Sequence, residues 1–273
     1  MAYLTLKNIV FDYPDGFNAI DNVSISIEKG EFVAIVGQNG AGKTTTVKLM
    51  NGLLKPTKGE VIVGGKNTKD YTVAEMSKTV GYVFQNPDDQ IFNEDVYEEV
   101  EFGPKNMGFP EEKVKELVKK AILMTGIREY VDENPYNLPY STRKLVSIAS
   151  IIAMDPEVII LDEPTAGQDM AGMGTLAYIL ENLKREGKTV ITITHDMEFV
   201  VRNFDRVIAM ANKKVVKDSN KSDIFWDHDV LKKCMLKQPY ISRVAYGLGI
   251  QGDVINIDGM IDKIKAMSNN KKD

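Results

Sequence analysis

One stretch constrains this chain more than any other: Gly37-Gln38-Asn39-Gly40-Ala41-Gly42-Lys43-Thr44. It fits the pattern G-x-x-x-x-G-K-[ST], and its setting fits as well. The apolar run Phe32-Val33-Ala34-Ile35-Val36 precedes it, and Val47, Leu49 and Met50 follow in a helical pattern. Strand, glycine loop and helix in that order give the motif its meaning. The glycines let backbone N–H groups wrap phosphates at a helix N-terminus, where the helix dipole favours anions. The expected cradle comprises Gly37, Asn39, Gly40, Ala41, Gly42, Lys43, Thr44 and Thr45. Lys43 is placed to reach β- and γ-phosphates, and Thr44 to ligate Mg²⁺.

The run from Phe32 to Val36 is apolar without a break, as in a strand buried on both faces. Val158-Ile159-Ile160-Leu161 and Val190-Ile191-Thr192-Ile193 are of the same kind. Leu4, Leu6, Val23, Ile25 and Ile27 instead alternate with polar neighbours, which predicts half-buried strands. Val114, Leu117, Val118, Ala121 and Ile122 share one helix face, as do Met173, Leu176, Leu180 and Leu183. Strands alternating with helices predict an α/β fold with parallel central strands.

Between about 86 and 153 strand signals vanish, which predicts a helical insert in the core. Val207-Ile208-Ala209-Met210 reads as a further strand, and from 222 onward the chain reads as short helices and turns. The expected organisation is a nucleotide-binding domain over 1–221 and a small C-terminal extension over 222–273. Asp258 is expected to cap a last helix bearing Ile261 and Ile264, and Asn269 to Asp273 to fray.

Composition excludes several alternatives. A net charge of −5 lacks the basic footprint of a nucleic-acid binder. Cys234 is the only cysteine, so neither an intramolecular disulfide nor a cysteine-rich metal site is expected. The two histidines are His195 and His228, and His228 has no surrounding motif and reads as a surface residue. No apolar run approaches the roughly 18 residues of a membrane span. No basic segment followed by an apolar one opens the chain, so no signal peptide is expected. Any membrane role therefore requires docking onto an embedded partner.

Asp162 and Glu163 end the second buried run. A carboxylate at the C-terminal end of a parallel strand points toward the site crevice. Asp162 suits Mg²⁺ coordination, and Glu163 suits a general base that orients an attacking water. His195 ends the third run, in Thr194-His195-Asp196, placed to bond the γ-phosphate and that water.

The phosphate loop, Gln85, Leu161-Asp162-Glu163-Pro164-Thr165, Ala166-Gly167-Gln168-Asp169 and His195 follow in an order and spacing that resembles ABC-type transporter ATPases. The resemblance covers at least Leu4 to Met210. It implies an ABC-type P-loop α/β core with an antiparallel β subdomain and a helical insert. It further implies that Tyr13, just before Pro14, stacks on adenine, and that Gln85 touches Mg²⁺ and the water. The metal-contacting set is then Thr44, Gln85 and Asp162, and Asp169 communicates across a dimer. ATP and Mg²⁺ are the implied cofactors. The implied partners are a second ABC ATPase subunit, in a homodimer or heterodimer, and transmembrane subunits, at the cytoplasmic face of the membrane.

Gln85-Asn86-Pro87-Asp88-Asp89-Gln90-Ile91-Phe92, then Val96 and Glu101-Phe102-Gly103-Pro104, is similar to the energy-coupling factor and cobalt/nickel transporter ATPases. These import vitamins or transition-metal ions. One motif departs from the family. Where Leu-Ser-Gly-Gly-Gln is usual, this chain has Leu138-Pro139-Tyr140-Ser141-Thr142. Pro139 has neither hydroxyl nor N–H, and Tyr140 and Ser141 replace glycines. Ser141 is expected to cap a helix starting at Thr142. The degenerate signature favours a non-hydrolysing regulatory subunit as the alternative, which the intact Glu163 and His195 oppose. A soluble ABC ATPase of DNA repair would need a long coiled coil, and no heptad stretch is present.

Overall fold

The computed structural model describes residues 2–250, 252 and 254–269. Its strands are β1 (Ala2–Asp12), β2 (Asn18–Glu28), β3 (Phe32–Gly37), β4 (Lys58–Val63), β5 (Lys66–Asn67), β6 (Val80–Val83), β7 (Val158–Asp162), β8 (Thr189–Ile193), β9 (Arg206–Ala211) and β10 (Lys214–Asn220). Its helices are α1 (Lys43–Met50), α2 (Val73–Ser77), α3 (Val96–Asn106), α4 (Glu111–Thr125), α5 (Tyr140–Ala153), α6 (Met170–Arg185), α7 (Met197–Asn203), α8 (Lys221–Phe225), α9 (His228–Cys234), α10 (Tyr240–Gly247) and α11 (Ile257–Asn269).

The larger sheet has the order β10-β9-β3-β8-β7-β6. Its β3, β6, β7, β8 and β9 run parallel, with β10 antiparallel on the edge. The smaller sheet, β2-β1-β4-β5, is antiparallel. The unbroken apolar runs have the expected cause. Along β3, Phe32, Ala34 and Val36 face one core with the helices, while Val33 and Ile35 face another with the antiparallel sheet. Both faces are covered, so no position needs to be polar.

Register fixes what meets at the rim. Asp162 on β7 pairs with Ile193 on β8, and Ile193 pairs with Ile35 on β3. The strand ends leading to the glycine loop, to Glu163 and to His195 therefore lie side by side.

Helices α3, α4 and α5 occupy the stretch between β6 and β7. Val114, Leu117, Val118, Ala121 and Ile122 of α4 are all buried, as the spacing requires. Helices α8 and α9 place Ile224, Phe225, Val230, Leu231 and Cys234 in the main core. Ala245, Ile250, Val254 and Met260 make a separate small cluster, with Trp226 and Ile241 against it. Asp258 does not cap α11. The helix begins at Ile257, and Asn256 Oδ1 accepts from Gly259 N–H at 2.9 Å, so Asp258 falls in the first turn. The tail expected to fray lies, from residue 270, outside the described residues. Among the described residues no helix is long and apolar enough to cross a membrane.

Candidate functional site

The glycine loop closes between β3 and α1 with Gly37, Gly40 and Gly42 all at positive φ. The need for glycine differs along it. A Cβ on Gly37 would stand 2.1 Å from Met210 O, and one on Gly42 would stand 2.8 Å from Ala19 O, so backbone blocks any side chain. Gly42 is the N-cap of α1 in the left-handed region and provides no side-chain cap. Lys43 is buried and donates to Gly37 O at 2.7 Å and Gln38 O at 3.0 Å. Burial holds its ammonium below the usual lysine value, against the pull of Glu163 and Asp162.

Asn39 to Thr45 line a cavity of about 400 Å³ together with Gln85, Asp162, Glu163 and His195. Ala166 and Ile193 complete the lining. Gly37 is not part of that lining; its carbonyl accepts from the Lys43 ammonium. Tyr13 flanks it, its hydroxyl 3.1 Å from Thr45 Oγ1 and its ring edge-on to Phe11. Tyr82 Oη donates to Asp162 Oδ2 at 2.6 Å, and burial with that carboxylate drives the phenol upward. Asp162 Oδ1 is buried with no hydrogen-bond partner.

Glu163 has φ of 47°, a strained conformation of a kind that clusters at functional sites. Its N–H donates to Ile193 O at 2.8 Å, and Oε2 accepts from His195 N–H at 3.2 Å. Burial raises its carboxyl above the usual glutamate value. Burial, with Lys43 second, lowers His195. The 3.3 Å contact of His195 Nε2 with Glu163 Oε1 thus involves a predominantly neutral imidazole near pH 7.

A family profile described as ABC transporter matches residues 20–166. A putative ABC transporter ATP-binding protein of Pyrococcus furiosus is 42% identical over 249 residues, 91% of this chain and 94% of that protein. The energy-coupling factor transporter ATP-binding protein EcfA of Methanocaldococcus jannaschii is 41% identical, over 94% of this chain and 92% of its own. The chain belongs to the ABC transporter ATP-binding family.

Among solved structures, cbiO1 of Clostridium perfringens, described as part of the ABC transporter complex cbiONQ, superposes with TM-score 0.76. It is 34% identical and covers 91% of this chain and 99% of its own. The dimeric cassette MJ0796, bound to ADP and Pi after hydrolysis, gives 0.72 at 29% identity, over 80% and 98%. As an ABC ATPase, this chain binds and hydrolyses ATP.

The departure from the ABC signature has a structural setting. Helix α5 starts at Tyr140, with Pro139 as N-cap and no side-chain cap. Ser141 therefore lies inside the first turn and does not cap, contrary to the expectation from its residue type. Tyr140 stacks where only glycine fits: a Cβ on Gly167 would stand 2.6 Å from Tyr140 Cδ1. Tyr140 Oη donates to Gln85 O at 3.3 Å, and Gln168 Nε2 donates to Ser141 O at 3.1 Å. The signature, the Asp169 loop and the Gln85 segment are thus tied together within one subunit.

The burial of Lys144, the bond from Tyr82 to Asp162 and the bond from Gln168 to the Ser141 carbonyl escape a sequence reading. A lysine on a helix reads as solvated, and nothing in its neighbours marks it as buried. In the segment after Gln85 two adjacent apolar residues part company. Ile91 is 2% exposed and belongs to the core, whereas Phe92 is 60% exposed.

Proposed function

We propose that this ATPase energises a membrane importer of the energy-coupling factor type, carrying a vitamin or a transition-metal ion. The observation that carries the catalytic part is the convergence of the glycine loop, Gln85, Asp162, Glu163 and His195 on one cavity. Resemblance to EcfA and cbiO1 over nine-tenths of the chain supports the transporter class. Residues 1–221 serve as the nucleotide-binding domain, with a helical insert at 86–153, and 222–273 as a C-terminal extension.

In this reading the loop amides and Lys43 hold the phosphates, and Tyr13 meets the base. Glu163 orients the attacking water and takes its proton. His195 bonds the γ-phosphate through an imidazole N–H. The orphaned Asp162 Oδ1 fits a hard cation, as do the oxygens of Thr44 and Gln85 on the same cavity wall. Mg²⁺ held there would neutralise charge developing on the phosphates. Lys43→Ala should weaken ATP binding about tenfold or more, since a charge-assisted contact is worth roughly 1.5–3 kcal/mol. Equilibrium dialysis with unchanged affinity would remove Lys43 from the site.

The chain sits peripherally on the cytoplasmic face, docked to transmembrane subunits through the segment after Gln85. Phe92 is exposed there, its ring 4.7 Å from that of Phe102, with Tyr97 and Tyr136 also exposed. Phe92→Asp should abolish co-purification with the membrane subunits while leaving a folded, ATP-binding protein. A complex of parental yield would place the dock elsewhere. Substitution of buried Ile91 would damage the core and cannot serve as the probe.

The productive dimer in this reading is a heterodimer. An ABC site combines one subunit's phosphate loop with the other's signature, and Pro139-Tyr140-Ser141 lacks the usual serine hydroxyl. A paralogue with an intact signature would complete the site holding Lys43 and Glu163 of this chain.

A further inference from the structure

Lys144 on α5 is 0% exposed. Among the described residues it forms no ion pair within 4 Å; Asp162 and Glu163 attract its ammonium from farther off, yet burial outweighs them and draws its pKa down to about 8. Its ammonium instead donates to Phe84 O at 2.9 Å, Gln85 O at 2.5 Å and Asp162 O at 3.2 Å. An ammonium has three donors, and three carbonyls meet it. A packing role alone would call for an apolar side chain, so the polarity of this one needs a reason.

The carbonyls supply it. Two belong to the segment carrying Gln85, and the third ends β7 one residue before Glu163. Other ties join that segment to α5. Gln90 Nε2 donates to Ser147 O at 2.7 Å and Ser150 Oγ at 3.0 Å, and Arg143 Nε lies 3.2 Å from Asp88 Oδ1. These reach α5 only. Lys144 also reaches the catalytic strand, and it does so one turn from Tyr140 and Ser141 on the signature face.

We propose that Lys144 is a positioning residue for hydrolysis. Its three hydrogen bonds fix the Gln85 main chain against the end of β7, keeping the Gln85 side chain and the Asp162–Glu163 carboxylates in register across the cavity. Displacement of the Gln85 segment would then shift the carboxylates and the first turn of α5 together. The inference rests on the assignment of Gln85 and Asp162 given above.

The experiment compares Lys144→Met, which keeps length and removes the donors, with Lys144→Gln, which keeps an N–H donor. ATP affinity and kcat are measured on the full chain, with Gln85→Ala beside them. Lys144→Met should leave ATP affinity near the parent's, because the glycine loop is untouched. Its kcat should fall up to about 100-fold, the scale of misplacing a reacting group by roughly 1 Å. Lys144→Gln should fall between that variant and the parent. A parental kcat in Lys144→Met overturns the proposal, as does a loss carried wholly by ATP affinity. Failure of both variants to fold assigns the lysine to stability and overturns it too. If Gln85→Ala is silent, the assignment of Gln85 fails. If Gln85→Ala is impaired while Lys144→Met is silent, only this inference fails.

Discussion

Glu163→Gln should bind ATP as the parent does and lose on the order of 10²–10⁴ in hydrolysis rate, the range of a general base. The substitution is nearly isosteric. The side-chain oxygen accepting from His195 N–H is retained, and the backbone bond from Glu163 N–H to Ile193 O is untouched. What is lost is the capacity to take a proton at a position where burial has already raised the carboxyl's basicity. Glu163 holds φ of 47°, and glutamine tolerates that strain no better, so the backbone gives no relief. With binding intact and turnover blocked, the variant should accumulate as an ATP-bound dimer. Size-exclusion chromatography with ATP and a single-turnover phosphate assay together test this. Parental hydrolysis would move the base elsewhere in the cavity, His195 being the first candidate.

The site was legible wherever its chemistry is contiguous in sequence. The glycine loop, Asp162-Glu163 and His195 each follow a strand buried on both faces, and such strands are unbroken apolar runs. Strand β6 was not legible. Val80-Gly81-Tyr82-Val83 is short and broken by a glycine whose Cβ would stand 2.4 Å from Ile151 on α5. That glycine records a close approach of helix to strand, which local pattern does not encode. The burial of Lys144 is hidden for a similar reason: its partners lie 18 to 60 positions away in sequence. The start of α5 was misplaced because Ser141 has strong capping propensity. Tyr140, held over Gly167 and bonded to Gln85 O, brings the helix start forward instead. Ile91 and Phe92 are alike in sequence, and only the packing separates anchor from exposed surface.

Restoring Ser-Gly-Gly at Pro139, Tyr140 and Ser141 should raise ATP hydrolysis by the isolated chain about tenfold or more. A hydroxyl bonding charged phosphate is worth roughly 1.5–3 kcal/mol, and a homodimer lacks it at both sites. The change has a structural penalty. Glycine in a helix is less favourable than alanine by about 1 kcal/mol per position, and removing Tyr140 uncovers Gly167. The bond from Gln168 Nε2 goes to the Ser141 carbonyl, which any residue provides, so the tie between signature and Asp169 loop survives. Thermal melting of parent and variant separates loss of fold from gain of function. Under the heterodimer reading, the restored chain gains activity alone, and the parent gains comparably when mixed with a paralogue carrying an intact signature. If the parent alone already hydrolyses ATP briskly and restoration adds nothing, the first-turn amides of α5 suffice for the phosphate. Pro139-Tyr140-Ser141 is then a working signature, and the pairing of Tyr140 with Gly167 is its adaptation to a homodimer.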